Sequence, residues 1–298
     1  MSILLLSFDV ERIPGVNPPD DFSRRLLGYV VDEDLTRGFL QALQAALAEE
    51  EAPATLFLAG MNLERFGDAY APIAADLRFD LQQHAYSHEP FKVIAEERDD
   101  DARTRVFRPC LPPQAVFEDV LRAERVFREV IGRRPVGLTA PFGYWRGLAD
   151  QPTVLETLRD LGYLFVRSYG RTATDYQPLP VEQAQPFLYD LQGFPELMEI
   201  PIAGWHDVGF KTRFGWGEPT GFLDHVCAEL ERLADRDVVW SLLQHDWSSV
   251  QYDEELTVTR GILRRARALG WELMSHAAFQ ETHRERVGGY RTGLIAPA

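Results

Sequence analysis

Short apolar runs alternate with amphipathic helical stretches along nearly the whole chain, and this alternation restricts the fold more than any other feature of the sequence. Ser2 to Phe8 is apolar enough for a strand buried on both faces, and it ends in the carboxylate pair Asp9 and Glu11. From Asp34 to Glu50 the residues Leu35, Phe39, Leu40, Leu43, Ala46 and Leu47 recur at helical spacing, with Pro53 as a stop. Ala54 to Ala59 then reads as a second strand. A strand, a helix and a strand within about fifty residues form a right-handed crossover unit, which builds parallel sheets and barrels.

The pattern continues to the far end of the chain. Leu77 to Leu81 is a weak third strand before His84, and Gln114 to Ile131 is a long amphipathic helix closed by Gly132. Val136 to Thr139 follows as a strand. Thr153 to Leu161 is helical, with Gly162 after it, and Tyr163 to Val166 is the next strand. Pro178 to Gly193 reads as irregular. Glu199 to Ile202, Val238 to Leu243 and Trp271 to Met274 are the remaining strands, with helices at Gly221 to Ala234 and Glu254 to Leu269. The expected fold is therefore α/β, with about seven or eight β/α units. Ala95 to Pro113, which contains EERDDDARTR, reads as a solvated loop. No composition shift marks a domain boundary, so residues 1–298 are expected to form one catalytic domain.

A formal net charge of −15 repels phosphate backbones and anionic lipid, which excludes nucleic acid and membrane surfaces as expected partners. Cys110 and Cys227 are too few for a disulfide framework. The apolar run Ile3 to Leu6 is short and meets Asp9 at once, so it is neither a signal peptide nor a membrane span; a cytoplasmic protein is the expectation.

Two groups of residues carry chemistry. His84 and His88 stand four apart in QHAYSHE. On a helical turn this spacing puts both imidazoles on one face with backbones about 6 Å apart, whereas on a strand they would be about 13 Å apart, too far to share a cation. A turn is therefore expected here. Asp9 and Glu11 in SFDVE point to one side of a strand, at the carboxyl edge where parallel folds place their sites. Two imidazoles and a carboxylate make a hydrolytic metal set with open positions.

With these groups in order, the chain resembles the polysaccharide deacetylases of carbohydrate esterase family four. The resemblance runs from Ile3 to about Met274 through SFDVE, ATLFLAG, HAYSH, VIGRRPVG, APFGYW, LRDLGY, MEIPIAGWHD and SLLQHDW. It implies an irregular, distorted (β/α) barrel with a core at about residues 3–274. It implies that Asp9 is the general base, that Glu11, His84 and His88 hold the metal, and that His245 is the general acid. The chain departs from the family at two places. Val10 separates the two acids that are usually adjacent, and Thr139 stands where the family carries an arginine paired with the catalytic aspartate. Arg146, Arg167 and Arg171 are the candidates to replace it. Asp246 should face away from His245 if the segment is a strand.

The activity implied is hydrolysis of an N-acyl group, acetyl or formyl, on an amino sugar or a peptidoglycan-like fragment, with one divalent ion. Zinc is the first expectation, and cobalt, nickel, manganese and iron suit the same ligands. Pro141, Phe142, Gly143, Tyr144 and Trp145, together with Trp205 and His206, are expected to line the substrate site, since flat rings suit sugar faces. Tyr144 and Trp205 are the favoured walls. His225, His276 and His283 are expected to pack or to face solvent. Two other readings remain: a ureide-opening, allantoinase-like hydrolase, and a carbohydrate-binding protein that has lost catalysis, for which Thr139 is the support. Relatives without an extra capping domain often assemble, so the resemblance also implies a homo-oligomer.

Overall fold

The computed structural model describes residues 1–11, 35–98, 101–173, 178–216, 219–250 and 253–288. Its centre is a sheet of β1 (Ile3–Val10), β2 (Ala54–Leu58), β3 (Phe79–Gln83), β6 (Gly137–Tyr144), β7 (Phe165–Tyr169), β8 (Phe187–Tyr189), β9 (Phe194–Glu199), β10 (Val239–His245) and β11 (Glu272–Met274). The strands run in the order β10-β1-β2-β3-β6-β7-β9-β8, and β11 joins the lower half of β1. All neighbours are parallel except β8 against β9. The seam between the two sides is irregular: beyond β9, Ala203 N donates to Ser241 O of β10 at 3.4 Å. This is the distorted (β/α) barrel expected.

The alternation of side chains along each strand decides what faces the interior. On β1, Leu4, Leu6, Phe8 and Val10 join the large core between strands and helices, while Ile3 and Leu5 join a second, smaller cluster with Phe57, Phe165, Met198, Ile200 and Phe279. Ser7 and Asp9 continue that inner row toward the carboxyl end. The barrel interior is thus apolar at its base and polar at its mouth.

Gly137 shows how tightly the base is filled. A Cβ there would lie 2.0 Å from the Phe165 ring. Gly137→Ala is expected to lower the unfolding free energy by about 1–3 kcal/mol, the usual cost of overpacking. Urea unfolding measures it, and an unchanged midpoint would mean that Phe165 can move aside.

Four segments differ from the sequence reading. Residues 94–108 form a hairpin, β4 (Ile94–Arg98) against β5 (Asp101–Arg108), not a loop. The stretch from Pro178 to Gly193 contains β8 and a 3-10 turn at Asp190–Gln192. The strand placed at Glu199 to Ile202 instead ends at Glu199. The segment His84 to His88 is not helical.

The long helices fall where the periodicity places them. The first described one, α1, is Leu35–Glu49, and the longest, α4, is Pro113–Ile131, ended by Gly132 at φ 79°. Between them lie the short helices α2 (Gly60–Arg65) and α3 (Gly67–Tyr70). Among the described residues no helix is long and apolar enough to cross a membrane.

Candidate active site at the carboxyl edge of the barrel

Five side chains named from the sequence meet at the barrel mouth. Asp9 ends the inner row of β1 and Glu11 follows the strand. His84 follows β3, His88 lies in the loop beyond it, and His245 ends β10. In register, Asp9 sits beside His245. Carboxylate oxygens of Asp9 and Glu11 and a ring nitrogen of His245 lie within 4.8 Å of one another, as do the ligating atoms of Glu11, His84 and His88.

The two histidines converge by a route that the helical spacing did not foresee. Ala85 (φ 57°) and His88 (φ 59°) both adopt the left-handed region, which is strained for residues other than glycine. The surroundings hold them there. Asp119, on α4, accepts from the backbone N–H of Tyr86 (2.7 Å) and of Ser87 (3.1 Å), while Gly60 N donates to Ala85 O at 2.8 Å. The result is a tight turn with the imidazole centroids 4.7 Å apart and their planes at 85°.

The donor set is chemically suited to a cation. His84 Nδ1 lies 3.0 Å from the carbonyl oxygen of Thr139, which can only accept, so Nδ1 carries the proton. In the neutral ring, Nε2 then presents a lone pair, yet it faces Glu11 Oε2 at 3.2 Å. His88 Nε2 faces the same oxygen at 2.8 Å. The His84 lone pair facing a carboxylate oxygen calls for positive charge between them, either a proton or a metal ion. Burial would raise the Glu11 carboxyl, but the field of His88 and the hydrogen bonds of both imidazoles hold it well below the ordinary range. Trp247 Nε1 donates to its other oxygen at 3.3 Å.

The cation missing at position 139 comes from the neighbouring strand. Thr139 and Arg167 are register partners on β6 and β7. Arg167, fully buried, donates through Nη2 to Asp9 Oδ1, through Nη1 to Ser7 Oγ at 2.8 Å and through Nε to Thr139 Oγ1 at 3.0 Å. Its guanidinium lies over the Phe57 ring, with Cζ 4.3 Å from the centroid. Arg146 and Arg171 do other work: Arg146 stacks on Trp145, and Arg171 donates to Phe142 O.

His245 is oriented by a residue that the sequence reading passed over. Asp207, in the first turn of α5 (Asp207–Phe214), accepts from His245 Nδ1 at 2.7 Å and from its backbone N at 2.9 Å. Burial would lower the His245 imidazole, but the Asp207 charge and hydrogen bond, with Glu11 and Asp9 beyond, push it up to about 9. Burial works against the charge of Asp207 too, yet His245, His206 and Lys211 hold its carboxyl far below the usual range. Asp207 is the third residue of the WHD in MEIPIAGWHD, and that acid was the available signal.

The expected substrate residues divide. Phe142 is half-buried, with its ring 5.0 Å from that of His88, and the His206 ring lies 5.3 Å from that of His245. Trp145 and Trp205 are half-buried. Trp205 packs edge-on against Phe214 at 5.7 Å. Pro141 and Gly143 are buried where the strand bulges. Tyr144 is not an exposed wall: it is 1% exposed and accepts from Phe91 N at 2.8 Å, so it anchors the loop instead. His276 is fully buried at the barrel base, bonded to Thr55 Oγ1 (3.0 Å) and Ser241 Oγ (2.8 Å).

The family model of the polysaccharide deacetylases matches residues 23–166 of the chain. No curated protein matches it in sequence. Among solved structures, one from Mycobacterium smegmatis described as a polysaccharide deacetylase is 18% identical, covering 97% of this chain and 93% of its own, with a TM-score of 0.67. A second so described, from Pseudomonas aeruginosa PAO1, is 16% identical over 95% and 91%, with a TM-score of 0.67. The PuuE allantoinase is 15% identical over 95% and 90%, with a TM-score of 0.68. These likenesses establish the fold. Asp9, Glu11, Asp207 and His245 lie outside the span that the family model matches, so their grouping rests on geometry.

Proposed function

We propose that this chain, which shares the sequence model and the fold of the polysaccharide deacetylases, is a metal-dependent hydrolase that removes an N-acyl group from an amino-sugar or peptidoglycan-like substrate. The observation that carries the reading is the convergence of Asp9, Glu11, His84, His88 and His245 at one barrel mouth, with Arg167 on Asp9 and Asp207 on His245.

Glu11, His84 and His88 would hold the ion, zinc being the first choice for two imidazoles and a carboxylate. When bound, a divalent cation supplies polarisation of the acyl carbonyl and acidification of water. The remaining steps belong to the side chains. Asp9 takes the proton of the attacking water as a C–O bond forms at the acyl carbon. Arg167 fixes the orientation of that carboxylate. The C–N bond then breaks, and His245, holding a proton at Nε2 while Nδ1 is held by Asp207, delivers it to the departing amine. A carboxylic acid and a free amine result.

Thr139 was the support for a non-catalytic reading; the Arg167–Asp9 pair, which brings a guanidinium to the same carboxylate from the next strand, supports the catalytic one. The likeness to an allantoinase keeps a ureide substrate as the competing enzyme reading.

The test is acetate or formate release from N-acylated amino sugars by zinc- or cobalt-loaded protein, with allantoin as the comparison. Asp207→Asn is expected to lower kcat by about 10²–10⁴. It should also move the alkaline limb of the pH profile downward, because His245 keeps its proton up to about 9 only while the Asp207 charge offsets burial. Hydrolysis of allantoin alone would exchange this reading for the ureide one. An unchanged pH limb in Asp207→Asn would remove His245 as the acid.

A further inference from the structure

Ala85, Tyr86 and Ser87 join His84 to His88, and the two peptide units at the centre of that turn are held from both sides. On one side the backbone N–H groups of Gly60 and Met61, at the start of α2, donate to the carbonyl oxygens of Ala85 (2.8 Å) and Tyr86 (3.2 Å). On the other, the Asp119 carboxylate on α4 accepts from Tyr86 N at Oδ2 (2.7 Å) and from Ser87 N at Oδ1 (3.1 Å). Every C=O and N–H of the units joining Ala85 to Tyr86 and Tyr86 to Ser87 is thereby satisfied by the protein itself.

The Tyr86 side chain is clamped between the same two helices. A Cβ on Gly60 would lie 2.6 Å from Tyr86 Cδ2 and 3.0 Å from Tyr86 Cα, so the tyrosine packs directly on that glycine. The Arg122 guanidinium covers the ring, with Cζ 3.6 Å from its centroid, and the hydroxyl donates to Glu64 Oε2 at 2.6 Å. Asp119 and Arg122 are three residues apart and share one face of α4. The turn needs such support, because Ala85 (φ 57°) and His88 (φ 59°) hold a conformation that only glycine takes freely.

We propose that Asp119 is a positioning residue that sets the metal affinity of the mouth by holding the His84–His88 turn in its ligating shape; this rests on the reading above that Glu11, His84 and His88 hold the ion. Among these supports of the turn's backbone Asp119 is the charged acceptor, and a charge-assisted hydrogen bond is about twice as strong as a neutral one. Without it the N–H groups of Tyr86 and Ser87 turn to water, Ala85 and His88 relax out of the left-handed region, and the two imidazoles part. The apparent Kd is the intrinsic one divided by the fraction of protein in the binding shape, so a turn formed about a tenth of the time binds about tenfold more weakly.

Zinc affinity of the full chain, measured by competition with a chromophoric chelator, tests the proposal. Asp119→Ala is expected to raise the Kd by about 10–100-fold, the range for loss of a partner behind a metal ligand. Asp119→Asn keeps one carbonyl acceptor for the two amides, so its Kd should fall between those of the original protein and Asp119→Ala; it also serves if the alanine variant does not fold. Gly137→Ala, which disturbs the barrel base, is the control for a general loss of stability and should leave the Kd within about twofold. A Kd within about twofold of the original in Asp119→Ala and Asp119→Asn overturns the proposal, as does a Gly137→Ala protein that loses zinc as readily as Asp119→Ala. The metal reading fails by a different result, a His84→Ala/His88→Ala protein that binds zinc as tightly as the original, and this proposal then falls with it.

Discussion

Arg167→Met should reduce kcat by about 10²–10⁴ while the protein still binds its metal, because the arginine touches the base and not the ligand set. Asp9 is 5% exposed and the guanidinium is fully buried, so neither charge is compensated by solvent. Breaking a buried pair by removing one partner costs about 3–5 kcal/mol, since the remaining charge is stranded. Asp9 would also lose the hydrogen bond that fixes the orientation of its carboxylate, and a misplaced base is slow to take the proton of water. Urea unfolding should register the stability loss and metal analysis an unchanged stoichiometry. The register of β6 and β7 provides the rescue. Thr139 and Arg167 are neighbours that already exchange hydrogen bonds, so Thr139→Arg combined with Arg167→Thr places the cation one strand over. Recovery of part of the turnover in the double variant would show that what Asp9 needs is a guanidinium at this depth and not one particular strand. Turnover at the original level in Arg167→Met would show that Asp9 does not depend on it.

The chain announced its barrel because strands such as β1 are apolar on both faces and long helices such as α4 end on a recognisable stop. β1 reads as a continuous apolar run since one side chain in two packs inside the barrel and the others pack under the helices. Gly132 and Gly162 end their helical stretches with φ of 79° and 78°, which their residue type allows. The hairpin at 94–108 gave no such signal: its sequence is a run of charges, and no alternating apolar face separates a ribbon of that kind from a loop.

At the site, the limits were those of local reading. The four-residue spacing of His84 and His88 correctly implied proximity, but the geometry comes from two left-handed residues, Ala85 and His88, whose types give no hint of it. Asp207 lies 38 residues from His245, and nothing in either local pattern links them. Arg167 could be named only as one of three candidates, because the choice depends on which strand lies beside β6. Ligand types can be read from a sequence, but second partners are set by strand register and loop packing.

The His84→Ala/His88→Ala double variant should lose bound zinc almost entirely, from about one ion per chain to below a tenth, and with it all measurable hydrolysis. Two of the three atoms that converge on the proposed site would be gone, and Glu11, 9% exposed and held ionised by those imidazoles, would be left as an uncompensated buried charge. Added zinc should therefore raise the melting temperature of the original protein and not that of the variant. An ion at a hundred times its Kd is worth about 2.7 kcal/mol to a folded state that alone binds it. His276→Ala supplies the control for a buried histidine with no part in the site. It should cost stability through its lost bonds to Thr55 and Ser241 yet retain zinc in full. Zinc retained by the double variant would move the ion to one of the other two groupings at the mouth: Asp9, Glu11 and His245, or His206, Asp207 and His245. His206→Ala in that background separates these, because only the second grouping would then lose its ion. In either case His245 would be a ligand and could not serve as the acid.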